Sequence, residues 1–280
     1  MKVVVLGAGG QVGASLAALL PDARALTRAE LDVTDPAAVA AADFGGADVI
    51  VNAAAYTAVD RAETPAGRAE AWRANAIAPG LLARAADAAG ATLVHFSTEY
   101  VHDGASVAAW TEDDPIAPLS AYGATKAAGD LAVSMVERHY VVRTTWVVGS
   151  GANFVATMLG LAAKGVSPTV VADQIGRPTF ADDLARGVVA LVGSGAPFGT
   201  YNVTNTGEPA SWADVARATF ALAGRSPADV SDTTTAEYFA GRPEAARRPL
   251  NSVLNVGKAA AAGVALPDWH ESLAAYVASR

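Results

Sequence analysis

Four short apolar runs set the architecture of this chain: VVVLG at 3–7, DVIVNAA at 48–54, TLVHFST at 92–98 and YVVRTTWV at 140–147. Runs this apolar and this short read as strands buried on both faces. Strands of that kind, separated by helices, belong to a parallel sheet with helices packed on each side. The intervening segments are rich in Ala, Leu and Arg at helical spacing, such as VGASLAALL at 12–20 and AEAWRANAIAPGLLARAADAAG at 69–90. The second ends on Gly90, where a left-handed C-cap residue belongs. The expected fold is therefore α/β, a doubly wound parallel sheet of Rossmann type. After about residue 150 the alternation loosens and turn signals crowd in (AKGVSP, VGSGAPFG, TNTGEP, AGRPEAARRP). This predicts a first domain over 1–150, rejoined by about 174–205, and a smaller lobe made mainly from 151–280.

The first run passes directly into GAGGQVG and then into a helix, so Gly7, Gly10 and Gly13 fall at a strand-to-helix turn. In such a turn one glycine permits the bend, one lets backbone approach a pyrophosphate, and one lets helix and strand pack closely, while the helix N-terminus offers free N–H groups. Residues 1–150 are thus expected to bind a dinucleotide. Where an acidic residue would end the second strand to hold a ribose 2′-hydroxyl, the chain has Leu26, Thr27 and Arg28, and a guanidinium there suits a 2′-phosphate. NADPH is the expected cofactor, with NADH as the alternative. Asp32 and Val33 follow where a loop can reach the adenine edge; Asp32 can equally cap a helix starting near Pro36. The third-strand exit, NAAAYT at 52–57, supplies small residues that leave room for a ribose and nicotinamide or simply pack well.

Bulk properties exclude several classes. The chain has 280 residues, 52% hydrophobic and 17% charged, enough for a sizeable core. A net charge of −8 gives no positive field to draw in nucleic acid or an anionic membrane. With no cysteine there is neither disulfide nor thiolate chemistry, which suits a reducing cytosol. The first apolar run is broken by glycine after five residues and no stretch approaches the ~18 apolar residues of a span, so a cytoplasmic protein is expected. His95, His102, His139 and His270 lack the spacing of a helical zinc pair, and no metal is expected. No G-x-S-x-G elbow or G-x-x-x-x-G-K-[ST] loop is present.

The stretch SAYGATK puts Tyr122 four residues before Lys126 at a helix start behind Pro115 and Pro118. Four residues make about one turn, so the two side chains share a face. A phenol with a reference pKa near ~10 shuttles protons poorly unless a cation stabilises its phenolate. A lysine about 4 Å away supplies up to ~4 kcal/mol at an effective dielectric near 20. Thr98, at the carboxyl end of a buried strand, is the candidate hydroxyl to hold a substrate oxygen. The spacing alone would also fit an exposed aromatic and a solvated lysine.

Taken together, GAGGQVG, ELDVTD, DVIVNAAAYTAVDRAE, NAIAP, LVHFSTEYVHDG, PLSAYGATKAAGD, VVRTTWVVG, NFVATML, VADQIGRPT and RPLNSVLN span nearly the whole chain. They resemble the extended short-chain dehydrogenase/reductases and, within them, the dTDP-4-dehydrorhamnose reductases. The resemblance implies NADPH-dependent reduction of the C4 ketone of dTDP-4-dehydro-L-rhamnose, with Tyr122 as proton donor, Lys126 as its pKa partner and ribose ligand, and Thr98 aligning the carbonyl. It places Gly10, Gln11 and Val12 at the pyrophosphate, Asp32 and Val33 at the adenine, and Ala55, Tyr56 and Thr57 with Phe96 on the ribose and nicotinamide side. Thr98, Glu99 and Trp146 fall at the sugar nucleotide. Trp146 can also be core packing, and Asn153 and Arg248 are further substrate candidates, the latter as a diphosphate clamp.

Two positions depart from the family wording S-T-D-Y-V-F-D-G: Glu99 replaces the aspartate and His102 the phenylalanine. Glu99 is expected to reach polar sugar groups; His102 is either a titrating group near the pocket or a tolerated aromatic. Some relatives dimerise through a metal held by a first-helix glutamate. Ser15 stands there, so that dimer is not expected, leaving a monomer or another homodimer. The rival readings are another sugar-nucleotide 4-ketoreductase, an epimerase or dehydratase, and a non-catalytic NADP-binding regulatory subunit. Dehydratases of the family carry an adjacent Asp-Glu pair after the threonine, and here only Glu99 is present.

Overall fold

Each apolar run becomes a strand of one sheet that is parallel throughout. The computed structural model describes residues 1–280. Strands β1 (Val3–Leu6), β2 (Arg24–Leu26), β3 (Val49–Asn52), β4 (Thr92–Thr98) and β5 (His139–Thr144), with the late strand Gly199–Asn202, lie in the order Gly199–Asn202, β5, β4, β3, β1, β2. Successive strand side chains point to opposite faces, and both faces are covered. Val3, Val5, Val49, Val51 and Val94 pack with Leu16 of helix α1 (Gln11–Leu19) and with Leu184, Val188 and Leu191 of α7 (Ala181–Ser194). Val4, Leu6, Ile50 and Leu93 meet Val39 of α2 (Pro36–Ala41), Leu82, Ala83 and Ala86 of α4 (Ala78–Ala88) and Val133 of α5 (Ala121–Val133). Burial on both sides is why these strands read as continuous apolar runs.

From β1 the chain winds outward to β2, then crosses back so that β3 lies on the other side of β1, with Leu6 opposite Asn52. The strand order reverses there, and a crevice opens at the carboxyl ends of β1 and β3.

The segment 69–90, which reads as one helix, is two helices joined by a π turn: α3 (Pro65–Trp72), Arg73–Ile77, then α4. Pro79 has no N–H to donate back along the helix, and the backbone widens just before it. The break has a use, because α5 crosses so closely that a Cβ on Gly129 would lie 2.1 Å from the Asn75 carbonyl. The helix still ends as its sequence implies, with Gly90 at φ 67°. β2 stops at Leu26 rather than reaching Arg28, because the Leu26 carbonyl accepts both the Gly7 and Ala8 N–H groups. β5 stops at Thr144, and Trp146 beyond it has φ 43°.

After β5 the chain leaves the sheet through Val147–Val148, which pairs with Thr179–Phe180, and returns as α7 and Gly199–Asn202. Outside the sheet, α6 (Phe154–Ala163), α8 (Trp212–Leu222) and the terminal helix Trp269–Ala278 enclose Val155, Met158, Val215, Phe220, Trp269 and Leu273. No helix is long and apolar enough to cross a membrane.

Leu184 carries the returning helix onto the sheet and is 0% exposed. Leu184→Ala is expected to lose about 2–5 kcal/mol of unfolding free energy, read as a lower urea midpoint; an unchanged midpoint would show that α7 is not integral to this core.

Candidate active site

The glycine turn is fixed by contacts that exclude side chains. Gly7 has φ 79°, and a Cβ there would lie 2.6 Å from the Ala54 N at the exit of β3. A Cβ on Gly13 would lie 2.2 Å from the Gly7 carbonyl oxygen. Gly10 is the N-cap of α1 and gives no side-chain cap, so the first-turn N–H groups face outward as an anion cradle. The Gln11 side chain reaches across to Gly149, its Oε1 accepting the Gly149 N–H at 2.7 Å. Val12 packs on the sheet. Arg28 stands two residues past Leu26 with its side chain 81% exposed and its Nε 3.2 Å from Asp32.

Asp32 does not cap α2; Asp35 does, accepting the Ala37 N–H. The Asp32 carboxylate instead accepts from the Thr34 hydroxyl at 2.7 Å and the Thr34 N–H at 2.9 Å, and these bonds hold its pKa below the ordinary value. The Val33 side chain is buried with Val39 and Phe44, which leaves its backbone to face any adenine. Opposite, the strand exit carrying Ala55, Tyr56 and Thr57 is clamped by Asn75 of the π turn. Asn75 Oδ1 accepts the Tyr56 N–H at 2.9 Å, and its Nδ2 donates to the Tyr56 carbonyl at 3.0 Å.

Ser120 caps α5 by accepting the Gly123 N–H at 3.1 Å, which fixes where the helix begins and hence where Tyr122 stands. Gly123 lets the Tyr100 carbonyl approach, since a Cβ there would lie 2.3 Å from that oxygen. This contact draws the end of β4 against α5, and the Tyr100 ring meets the Tyr122 ring edge-on at 5.4 Å. Burial, then the charge of Glu99, pushes the Tyr122 pKa above its ordinary value, so this phenol is protonated, as an acid must be. Lys126 donates to the Phe96 carbonyl at 2.5 Å and lies 3.3 Å from His95 Nε2. Phe96 therefore serves through its carbonyl. Burial pushes the Lys126 pKa down to about 8, against the pull of Asp130, which is itself paired with Arg143 at 3.4 Å.

Several expectations change here. Glu99 does not reach into an open sugar site; it is 2% exposed, and the Thr98 hydroxyl donates to its Oε2 at 2.7 Å. Its carboxyl works on Thr98 from behind, with burial raising its pKa to about 7. His102 is an aromatic filler, buried and stacked on Trp110 at 4.5 Å, with its pKa lowered by burial. Asn153 is a helix cap: its Oδ1 accepts the Ala156 N–H at 2.9 Å and its Nδ2 lies within hydrogen-bond reach of the Gly149 and Gly151 carbonyls and the Tyr276 hydroxyl, so its donors are taken up within the protein.

Trp146 stacks on Trp212 at 3.7 Å, with Gly176 too close to its ring to carry a side chain. Beside this pair opens a cleft of about 490 Å³, lined among others by Tyr100, Phe154, Trp212, Gln174, Arg242 and Arg248. Arg248 donates to both oxygens of Asp60 at 2.9 Å while its guanidinium lies over Phe239. Trp212, Phe154, Gln174 and Arg242 were not singled out from sequence, because an aromatic beside a helix N-cap is indistinguishable from core until the lobe is assembled. Tyr100 is the wall shared by the cleft and the Tyr122 site.

Known proteins are similar to this chain in sequence and fold. The family model described as RmlD substrate binding domain matches residues 1–280. A dTDP-4-dehydrorhamnose reductase of Mycolicibacterium smegmatis is 41% identical, covering 99% of this chain and 85% of its own. A probable dTDP-4,6-dihydroxy-2-methyloxan-3-one 4-ketoreductase of Streptomyces antibioticus is also 41% identical, over 98% of this chain and 93% of its own. The crystal structure of a dTDP-4-dehydrorhamnose reductase from Bacillus anthracis in complex with NADP superposes with a TM-score of 0.91 at 34% identity, covering 100% of both chains.

The raised pKa of Glu99 has a stability consequence. The folded state holds this proton more tightly than the unfolded chain, whose value is 4.5. The stabilisation is therefore complete below about pH 4.5 and is lost as pH rises through about 7. The loss is on the order of 3 kcal/mol at about 1.36 kcal/mol per pKa unit. Urea unfolding across this range should show a fall for the wild type that Glu99→Gln lacks; parallel curves for the two proteins would contradict it.

Proposed function

This chain belongs to the RmlD substrate binding domain family, and on that premise we propose that it is an NADPH-dependent reductase of dTDP-4-dehydro-L-rhamnose, forming dTDP-L-rhamnose. The observation that carries this reading is that Thr98 ends β4 where Tyr100 packs on the Tyr122 ring, with Lys126 one turn along the same helix and bonded to the Phe96 carbonyl of β4, at the carboxyl ends of the strands where the glycine turn also lies. NADPH, when bound, supplies a hydride to C4. The uncapped start of α1 suits its pyrophosphate, the exposed Arg28 its 2′-phosphate, and Lys126 a ribose hydroxyl.

Tyr122 gives its proton to the ketone oxygen as charge develops there, and Lys126 stabilises the phenolate left behind. A proton on Glu99 lets its carboxyl donate to Thr98, which turns the Thr98 hydroxyl outward as a donor to the same oxygen. The cleft beside Trp146 and Trp212 is apolar on its aromatic side and carries Arg242 together with the Arg248–Asp60 pair, suited to a base and a diphosphate. The lack of cysteine fits a cytoplasmic setting. The Streptomyces antibioticus relative favours a second reading, reduction of a differently substituted dTDP-4-ketosugar.

Purified protein with freshly made dTDP-4-dehydro-L-rhamnose should oxidise NADPH, followed by its absorbance. Tyr122→Phe should be slower by roughly 100- to 10,000-fold with NADPH affinity retained. Equal rates would remove Tyr122 as the acid. NADPH binding without oxidation by the wild type would favour a regulatory subunit, and oxidation only with another 4-ketosugar would favour the second reading.

A further inference from the structure

Behind Tyr122 and Lys126 lies a buried polar file that the reaction as described leaves idle. Asn52, at the end of β3, is 1% exposed, and His95, in β4, is 0% exposed. Asn52 Oδ1 accepts the Ala54 N–H at 3.2 Å, which turns Nδ2 toward His95 Nδ1 at 3.1 Å. An amide nitrogen can only donate, so Nδ1 is the acceptor and the neutral ring carries its proton on Nε2. Nε2 faces Lys126 Nζ at 3.3 Å. An N–H aimed at Nζ repels an ammonium and hydrogen-bonds to an amine.

We propose that His95, held in the Nε2–H tautomer by Asn52, is a positioning residue that stabilises the neutral amine left on Lys126 when its proton moves to the Tyr122 phenolate. The origin of that phenolate rests on the reductase reading. The substrate oxygen takes the phenolic proton as hydride reaches the carbon; the phenolate then takes a proton from Lys126, whose freed lone pair accepts the Nε2–H. His95 keeps its own proton throughout.

The other groups around Nζ do not replace this donor. The Phe96 carbonyl accepts from either form of the lysine. Asp130, one turn further along α5 and paired with Arg143 of β5, favours the ammonium, and Glu99 lies on the Tyr122 side. His95 is the group that favours the amine. Burial and the Lys126 charge keep the ring itself from taking a second proton.

The test is nitrogen NMR of protein labelled at histidine, without substrate, with His95→Leu used to assign the His95 ring. The expected spectrum shows a neutral ring protonated at Nε2, with a signal that shifts as Lys126 titrates near pH 8. A proton on Nδ1, or a signal unmoved across that range, would overturn the proposal. In steady-state kinetics, folded His95→Leu should move the alkaline limb of kcat/KM upward by about one pH unit, a tenfold change in proton affinity. A limb that stays or falls would equally overturn it. If His95→Leu does not fold, single substitution of the other three histidines completes the assignment. The NMR measurement needs no turnover, so it can fail while the reductase reading stands, and the reverse.

Discussion

A lysine buried on the helix that carries Tyr122 is the constraint around which this molecule is organised. Lys126 is 2% exposed, and a cation in that position is tolerated only because polar groups from several elements converge on it. β4 contributes the Phe96 carbonyl and α5 contributes Asp130, itself paired with Arg143 of β5, while His95 of β4, backed by Asn52 of β3, supplies the opposing pull toward the amine. Those elements meet because the strands are parallel and in register, so that Asn52, His95 and Val141 lie side by side across the sheet. The glycines follow from the same demand for close approach. Gly129 lets α5 press on the Asn75 carbonyl, and Gly123 lets the Tyr100 carbonyl reach α5.

The fold was legible because strands buried on both faces leave a plain mark on a sequence, and the turn glycines sit where only hydrogen fits. The face shared by Tyr122 and Lys126 was legible for a similar reason, since helical periodicity fixes it and Ser120 fixes the start. The π turn before Pro79 and the early end of β2 were not, because each is set by a partner distant in sequence or by a carbonyl with two claimants. The charge states of Glu99, Lys126 and His95 arise from burial, which composition cannot report.

The lobe was the least readable part. Its elements are short and close only through contacts such as Trp110 with Leu254 or Arg248 with Asp60, far apart along the chain. Asn153 and Glu99 show the resulting error: a polar residue beside a pocket reads as a ligand until its own backbone or neighbour is seen to satisfy it. Trp146 shows the opposite case, for its left-handed backbone and its stack on Trp212 make a surface that no local pattern announces.

The central claim is that this site delivers hydride to a carbonyl carbon while its tyrosine delivers the proton. The most direct measurement is product analysis by NMR after turnover of dTDP-4-dehydro-L-rhamnose with NADPH carrying deuterium in the transferable C4 position of the nicotinamide. The account predicts one deuterium bound to C4 of the sugar in dTDP-L-rhamnose, with the oxygen-bound proton drawn from solvent. Deuterium elsewhere on the ring, or a product without it, would contradict the account.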